Sequence, residues 1–159
     1  MTEQDTMFQT EDDLKLEEEV PQVQTEKYLL FLSDGLLFGV PAEEVEEIIT
    51  NHTVTWLPLV PDYVRGIINL RGQIIPIVDI RRLLNHPGQD DSNCMIILRT
   101  NNGQVGILVD QVQKMVDVEK SSILPSPPQS GRELVCGMCS LEDGQTMLAF
   151  DCERLMELA

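Results

Sequence analysis

The apolar residues of this chain come in short runs, and turn signals interrupt them at close intervals. Tyr28-Leu-Leu-Phe-Leu32 is followed by Asp34-Gly35 and then by Leu36-Leu-Phe-Gly-Val40. Ile67-Ile-Asn-Leu-Arg71 is followed by Gly72 and then by Gln73-Ile-Ile-Pro-Ile-Val-Asp79. Cys94–Arg99 and Val105–Val109 flank Asn101-Asn102-Gly103, and Val135–Ser140 and Thr146–Phe150 flank Glu142-Asp143-Gly144. Glycine accepts the positive φ that a tight hairpin requires, and Asp or Asn can bond its own backbone there. The pattern therefore predicts a series of β-hairpins. No run approaches the roughly 18 apolar residues of a membrane-spanning helix. Many short strands with frequent turns favour small antiparallel barrels over a doubly wound parallel sheet.

The segments between these hairpins are less decided. Pro41 suits the start of a helical turn, with Glu43 and Glu44 where carboxylates favour the helix dipole. Val45–Ile49 and Asp110–Val118 fit either helix or strand. Trp56-Leu-Pro-Leu-Val-Pro61 cannot be a regular helix, because each proline removes a donor. Pro76 places its strand at an edge or a bulge. Ile80–Leu84 reads as a short helix ended by Asn85, residues 85–92 as a polar linker, and Ser121–Arg132 as a loop. Asp151 is positioned to cap a terminal helix carrying Leu155, Met156 and Leu158. Since few runs alternate strictly, many strands are expected to be buried on both faces. The chain reads as two halves, divided roughly at 85–92, that share one core.

Charge excludes several function classes. The 159 residues carry 11 Lys and Arg against 27 Asp and Glu, a net charge of −16. Such a chain repels DNA, RNA and anionic lipid, so nucleic-acid partners and direct membrane insertion are not expected. Half the excess lies in residues 1–26, where nine acids face Lys15 alone. That segment has too little apolar surface to offset its ordering entropy and is expected to be a disordered acidic tail. It lacks the basic and apolar regions of a signal peptide. Four cysteines do not make a disulfide scaffold in a chain of this length, and a reducing, cytoplasmic setting follows.

Convergent ionisable chemistry is scarce. His52 and His86 lie in turn-like contexts, Gly103-Gln-Val-Gly106 is too short to cradle phosphate, and Glu43, Glu44, Glu46 and Glu47 read as a solvated run. Cys136-Gly-Met-Cys139 is compatible with half a zinc site or a redox dithiol. Yet residues three apart on a strand point to opposite faces, so the plainer reading is a pair of buried, inert thiols. Gly137 could bend the strand and bring them together. The other departure is a local basic island: Arg65, Arg71, Arg81 and Arg82 fall within 18 residues of an acidic chain. Arg71 sits at a hairpin tip, where a guanidinium fork can meet a partner's carboxylate or carbonyl.

The stretch from Gly66 to Arg81, Gly-Ile-Ile-Asn-Leu-Arg-Gly-Gln-Ile-Ile-Pro-Ile-Val-Asp-Ile-Arg, resembles the signature of the CheW chemotaxis coupling family. Tyr28-Leu-Leu-Phe, Phe38-Gly-Val-Pro, Val45-Glu-Glu-Ile-Ile49, Pro61-Asp-Tyr-Val-Arg-Gly66, Gly106-Ile-Leu-Val-Asp-Gln-Val112 and Ile123-Leu-Pro125 follow the family order. The resemblance spans about residues 26–158. It implies a mainly β fold of two SH3-like five-stranded barrels sharing a hydrophobic interface, with a few short helices. It implies no catalysis and no cofactor. The implied partners are the regulatory domain of the histidine kinase CheA and the cytoplasmic tip of chemoreceptors, bridged in signalling arrays. Val45, Glu47, Gly66 and Arg71 match family positions linked to receptor or kinase contact, and Asn69 and Leu70 flank them. In this light Val45 would be an apolar anchor, Glu47 a steering charge and Arg71 the docking fork. With the sequence running to Ala159, a stand-alone coupler is expected in preference to a CheV-type relative with a receiver domain. Two alternatives stay open: a coupler of another chemosensory system (pilus motility or second-messenger control), and a zinc or thiol-redox protein using Cys136 and Cys139.

Overall fold

A computed structural model describes residues 23–87, 94–125 and 134–158. The expected acidic tail falls outside the described residues except for its last four, and most of the 85–92 linker falls outside them too. The hairpin signals are realised as strands β1 (Thr25–Ser33), β2 (Leu36–Pro41), β3 (Val45–Thr50), β4 (Val64–Leu70), β5 (Gln73–Asp79), β6 (Cys94–Thr100), β7 (Gly103–Val109), β8 (Gln111–Glu119), β9 (Leu124–Pro125), β10 (Val135–Ser140) and β11 (Thr146–Phe150). Among the described residues, two short helices, α1 (Ile80–Leu83) and α2 (Cys152–Leu158), and 3-10 turns at Ala42–Glu44 and Lys120–Ser122 accompany the strands. The hairpin tips behave as their residues demand. Asp34 and Gly35 take φ of 53° and 77°, and Arg71 and Gly72 take 54° and 83°. Two consecutive left-handed residues match the right-handed twist of the flanking strands. Asp79 caps α1 by accepting from the Arg81 N–H at 3.0 Å, and Asp151 caps α2 through the Arg154 N–H at 3.2 Å.

The strands form two sheets, β8-β1-β2-β11-β10-β9 and β3-β6-β7-β5-β4. The sixth strand of the first sheet is the two-residue β9. Each sheet curls round its own apolar centre. Tyr28, Leu30, Leu37, Val118, Cys139, Met147 and Ala149 fill the first barrel. Ile68, Ile75, Ile77, Met95, Ile97 and Leu108 fill the second. A third and larger cluster joins them: Leu29, Phe31, Phe38, Val40 and Phe150 from the first sheet meet Val78, Ile96, Leu98, Val105, Ile107 and Val109 from the second. Phe31 stacks on Phe38 with ring centroids 5.4 Å apart, and Phe150 meets both edge-on at 6.0 and 6.1 Å. Strands such as β6 and β7 thus bury both faces, one in their own barrel and one in the joint, which is why their sequences do not alternate.

Four features differ from, or go beyond, the sequence reading. The division expected near 85–92 is not where the sheets part: β5 and β6 belong to one sheet, and the first sheet gathers both chain ends through the parallel pair β2–β11. Both undecided segments are strands, β3 and β8, in keeping with their β-branched residues. Pro76 lies in an inner strand, not at an edge. The parallel ladder from β5 to β7 begins only at Ile77, so the missing N–H falls where that side is still unpaired, and the bulge sits on β4 between Val64 and Gly66. Within the segment read as a loop, Ser121 and Ser122 belong to a 3-10 turn and Leu124–Pro125 pairs with β10; residues 126–133 lie outside the described ones.

Candidate functional site

The β4–β5 hairpin is braced from within. Asn69 Oδ1 accepts the Gly72 N–H at 3.0 Å, which fixes the turn. Leu70 is half-buried against the second barrel's core and anchors its base. Between them the chain turns outward at Arg71, whose side chain is 71% exposed. Its Nη2 lies 2.8 Å from Oε1 of Glu47 on β3. Because β3 and β4 are the outermost strands of their sheet, the ion pair spans the barrel's open side. The other Glu47 oxygen, Oε2, is buried without a hydrogen-bond partner among the described residues. Next to it in the chain, Glu46 accepts from Arg99 at 2.9 and 3.1 Å and from Gln104. Slight burial works to raise its pKa, but the Arg99 and Gln104 hydrogen bonds hold it below the usual carboxylate range.

Gly66 does not reach the surface. It is buried with φ of 145°, and a Cβ there would stand 2.0 Å from the Thr55 carbonyl oxygen. That contact lets Thr55 and Ile67 exchange two backbone hydrogen bonds, at 2.8 and 2.9 Å, which pin the loop joining β3 to β4 onto the sheet. The pinned loop exposes Trp56 at 74% and Leu59 at 103%, the latter with a left-handed φ of 61°. Trp56 and Leu59 are the most exposed large apolar side chains among the described residues. Sequence reasoning gave these two no role. The available signal was the apolar run broken by Pro58 and Pro61, which fits neither a strand nor a helix and so leaves its apolar side chains without a sheet face to bury them.

Of the six residues singled out from the sequence, Glu47 and Arg71 are brought together at the surface. Asn69 and Leu70 brace the hairpin that carries Arg71, and Gly66 seats the β3–β4 loop against Thr55. Val45 stands apart: half-buried, it pairs with Leu98 and packs against the joint core, because a bulge between Val45 and Glu47 separates their surroundings.

The basic island is not a free positive patch. Arg65 faces Asp79 at 3.6 Å, Arg71 holds Glu47, Arg81 binds Asp110 and Asp34, and Arg82 lies 4.0 Å from Asp62. An acidic chain supplies each guanidinium with a carboxylate. The cysteine reading is corrected in part. Cys139 is buried in the first barrel, but Cys136 is exposed, at the bulge that opens β10. The two thiols therefore occupy different environments, as residues three apart on a strand do. Burial of the Cys136 sulfur, with Asp151 and Glu44 nearby, pushes its pKa up.

Two β-barrels joined through a shared apolar layer, with an ion-paired hairpin and an apolar loop turned outward, define a protein built for contact. The sequence pattern of the CheW-like domain matches residues 27–159, and the chain belongs to the CheW family. It is 29% identical to the chemotaxis protein CheW of Klebsiella aerogenes over 136 residues, covering 82% of this chain and 81% of that one. It is 32% identical to chemotaxis protein CheW of Bacillus subtilis over 104 residues, covering 64% and 67%. The fold is similar to that of the scaffolding protein TtCheW from Thermoanaerobacter tengcongensis, with a TM-score of 0.73, 26% identity, and coverage of 80% of this chain and 90% of that one. Among the described residues no helix is long and apolar enough to cross a membrane.

Proposed function

We propose that this chain is a non-catalytic adaptor that couples chemoreceptor tips to the regulatory domain of the histidine kinase CheA, in the cytoplasm beneath the receptor membrane. The observation that carries the reading is the outward hairpin tip. Arg71 is held by Glu47, braced by Asn69, and lies on the same barrel as the exposed Trp56 and Leu59. An apolar centre with a charged rim is the usual anatomy of a protein contact, and Trp and Arg are the side chains that most often dominate its energy. The arginines of the basic island are each paired with a carboxylate of the same chain.

Work of this kind is differential binding: by holding kinase and receptor together, the adaptor lets a receptor's conformational shift bias the kinase. The test is co-sedimentation of the full chain with receptor tip fragments and the cognate CheA. Joint recovery of all three, lost on Arg71→Glu, supports the reading. Failure to bind either partner, or turnover of a small molecule by the purified chain, overturns it.

A further inference from the structure

Away from the docking face, the densest knot of charge lies where the chain passes between sheets. It crosses at the 3-10 turn Ala42–Glu44, between β2 and β3, and again at Asp110, between β7 and β8. Arg81, on α1 at the end of the second sheet's β5, grips the second crossing with both arms of its fork. Its Nε lies 3.0 Å from Asp110 Oδ1, and its Nη2 meets Oδ2. The remaining nitrogen, Nη1, reaches Asp34 Oδ1 at 3.0 Å in the β1–β2 turn of the first sheet.

The knot is closed from every side. The Asp34 N–H donates to Asp110 Oδ2 at 2.8 Å, and the Asp110 N–H donates to the Leu32 carbonyl at 2.9 Å. His86 Nδ1 meets the second Asp34 oxygen. The three principal side chains are only 18 to 23% exposed, so their mutual attraction is screened far less than at the hairpin tip. One guanidinium thereby ties together the helix of one barrel, the strand crossing, and a turn of the other barrel.

Each barrel has its own core, and the cluster that joins them is built mainly of aliphatic and phenylalanine side chains. The hydrophobic attraction that joins them has no preferred direction. A bidentate arginine does, because its planar donors meet a carboxylate in one orientation. We propose that Arg81 is a positioning residue that fixes the angle between the two barrels. It acts through Asp110 and Asp34, and it touches no partner. For a coupler the consequence is direct, and that consequence alone rests on the function proposed above: the angle sets how surfaces on the two barrels face two partners at once.

The experiment places genetically encoded spin labels at exposed Gln73 on the second barrel and exposed Glu142 on the first, and reads their distance distribution by pulsed electron resonance without any partner. The parent chain is expected to give one narrow peak. Arg81→Lys keeps the charge but loses the fork, and Asp34→Asn keeps a residue that tolerates the left-handed turn. Each is expected to broaden the peak at least twofold, with cooperative thermal unfolding retained. Arg71→Ala, at the docking face, should leave the peak unchanged. A parent-like peak in folded Arg81→Lys and Asp34→Asn overturns the proposal. If Arg81→Lys fails to fold, Asp34→Asn decides by the same criterion. A chain that binds neither receptor nor kinase would overturn the coupler reading yet leave this measurement fully interpretable.

Discussion

Arg71 Nη2 and Glu47 Oε1 stand 2.8 Å apart across 24 residues of sequence, although the Arg71 side chain is 71% exposed to solvent. The contact uses one guanidinium nitrogen and one carboxylate oxygen, while Glu47 Oε2 has no hydrogen-bond partner among the described residues. An exposed pair of this kind contributes about 0–1 kcal/mol to folding.

Arg71→Glu is expected to weaken partner binding at least tenfold, in the range of an interface hot spot. The melting temperature should fall by no more than about 4 °C, the change that ~1 kcal/mol produces in a chain of this size. Co-sedimentation and thermal unfolding on the same preparation check both numbers. A large loss of stability accompanying the loss of binding would make Arg71 a fold residue and remove it from the docking surface.

Gly66 shows the opposite balance. With φ of 145° and a would-be Cβ 2.0 Å from the Thr55 carbonyl, Gly66→Ala should cost more than about 2 kcal/mol, since backbone strain alone is of order 1–3. Gly72 has φ of 83° but open space around it, so Gly72→Ala should cost only about 1–2 kcal/mol. Urea unfolding of both variants measures the contrast. Equal costs would mean that the loop is not seated on Gly66, and the positions of Trp56 and Leu59 would lose their support.

These two glycines also mark the boundary of what the sequence discloses. Gly72 is legible because a turn is a local event, written in neighbouring residues. The four hairpins and the cap at Asp151 were legible for the same reason. Gly66 is different, because its constraint comes from Thr55 in another segment. The assignment of strands to sheets was hidden likewise: Phe38 pairs beside Leu148 across more than a hundred residues, and no local signal announces a parallel neighbour at that range. Arg81 read as one of four clustered bases, whereas its partners Asp34 and Asp110 lie 47 and 29 residues away. Val45 and Glu47 were both read as contact residues, one an apolar anchor and the other a steering charge, and the bulge between them separates a core contact from a surface ion pair.

The Arg81 knot carries a pH signature. Burial works to raise the Asp110 pKa, but the hydrogen bonds from Arg81 and the Asp34 N–H overcome it and hold the carboxyl below its usual range. A depressed folded-state pKa means that the unfolded chain takes up protons first. The stabilisation is therefore complete above the ordinary aspartate value of about 4 and is lost as pH falls through the depressed one. Asp79 has the reverse sign: burial pushes its pKa up, so acid relieves its strain before it breaks the knot. Stability should hold or rise slightly from pH 7 toward 5 and then drop below 4. Denaturant titrations of Asp110→Asn should show a shallower acid limb, and an unchanged limb would remove Asp110 from the account.

The thiols provide a chemical check on the barrel's faces. Cys136 is exposed, Cys94 is half-buried, and Cys139 and Cys152 are buried. The Cys136 sulfur leans toward the Ala149 carbonyl at 3.5 Å, and its raised pKa leaves little thiolate at neutral pH. Burial, reinforced by Glu44, pushes the Cys152 thiol up much further. Iodoacetamide at pH 7.5 should therefore modify Cys136 first, but more slowly than a free cysteine, and faster as the pH is raised to 9. Cys139 and Cys152 should react only on unfolding. Because the sulfurs of Cys136 and Cys139 serve different environments, a chelator should leave the melting temperature unchanged, and purified protein should retain no stoichiometric zinc. Peptide mass spectrometry and metal analysis read both outcomes. Matched reactivity of Cys136 and Cys139, or one zinc per chain, would show that Gly137 bends β10 enough to bring the pair together, and would reopen the metal or redox reading.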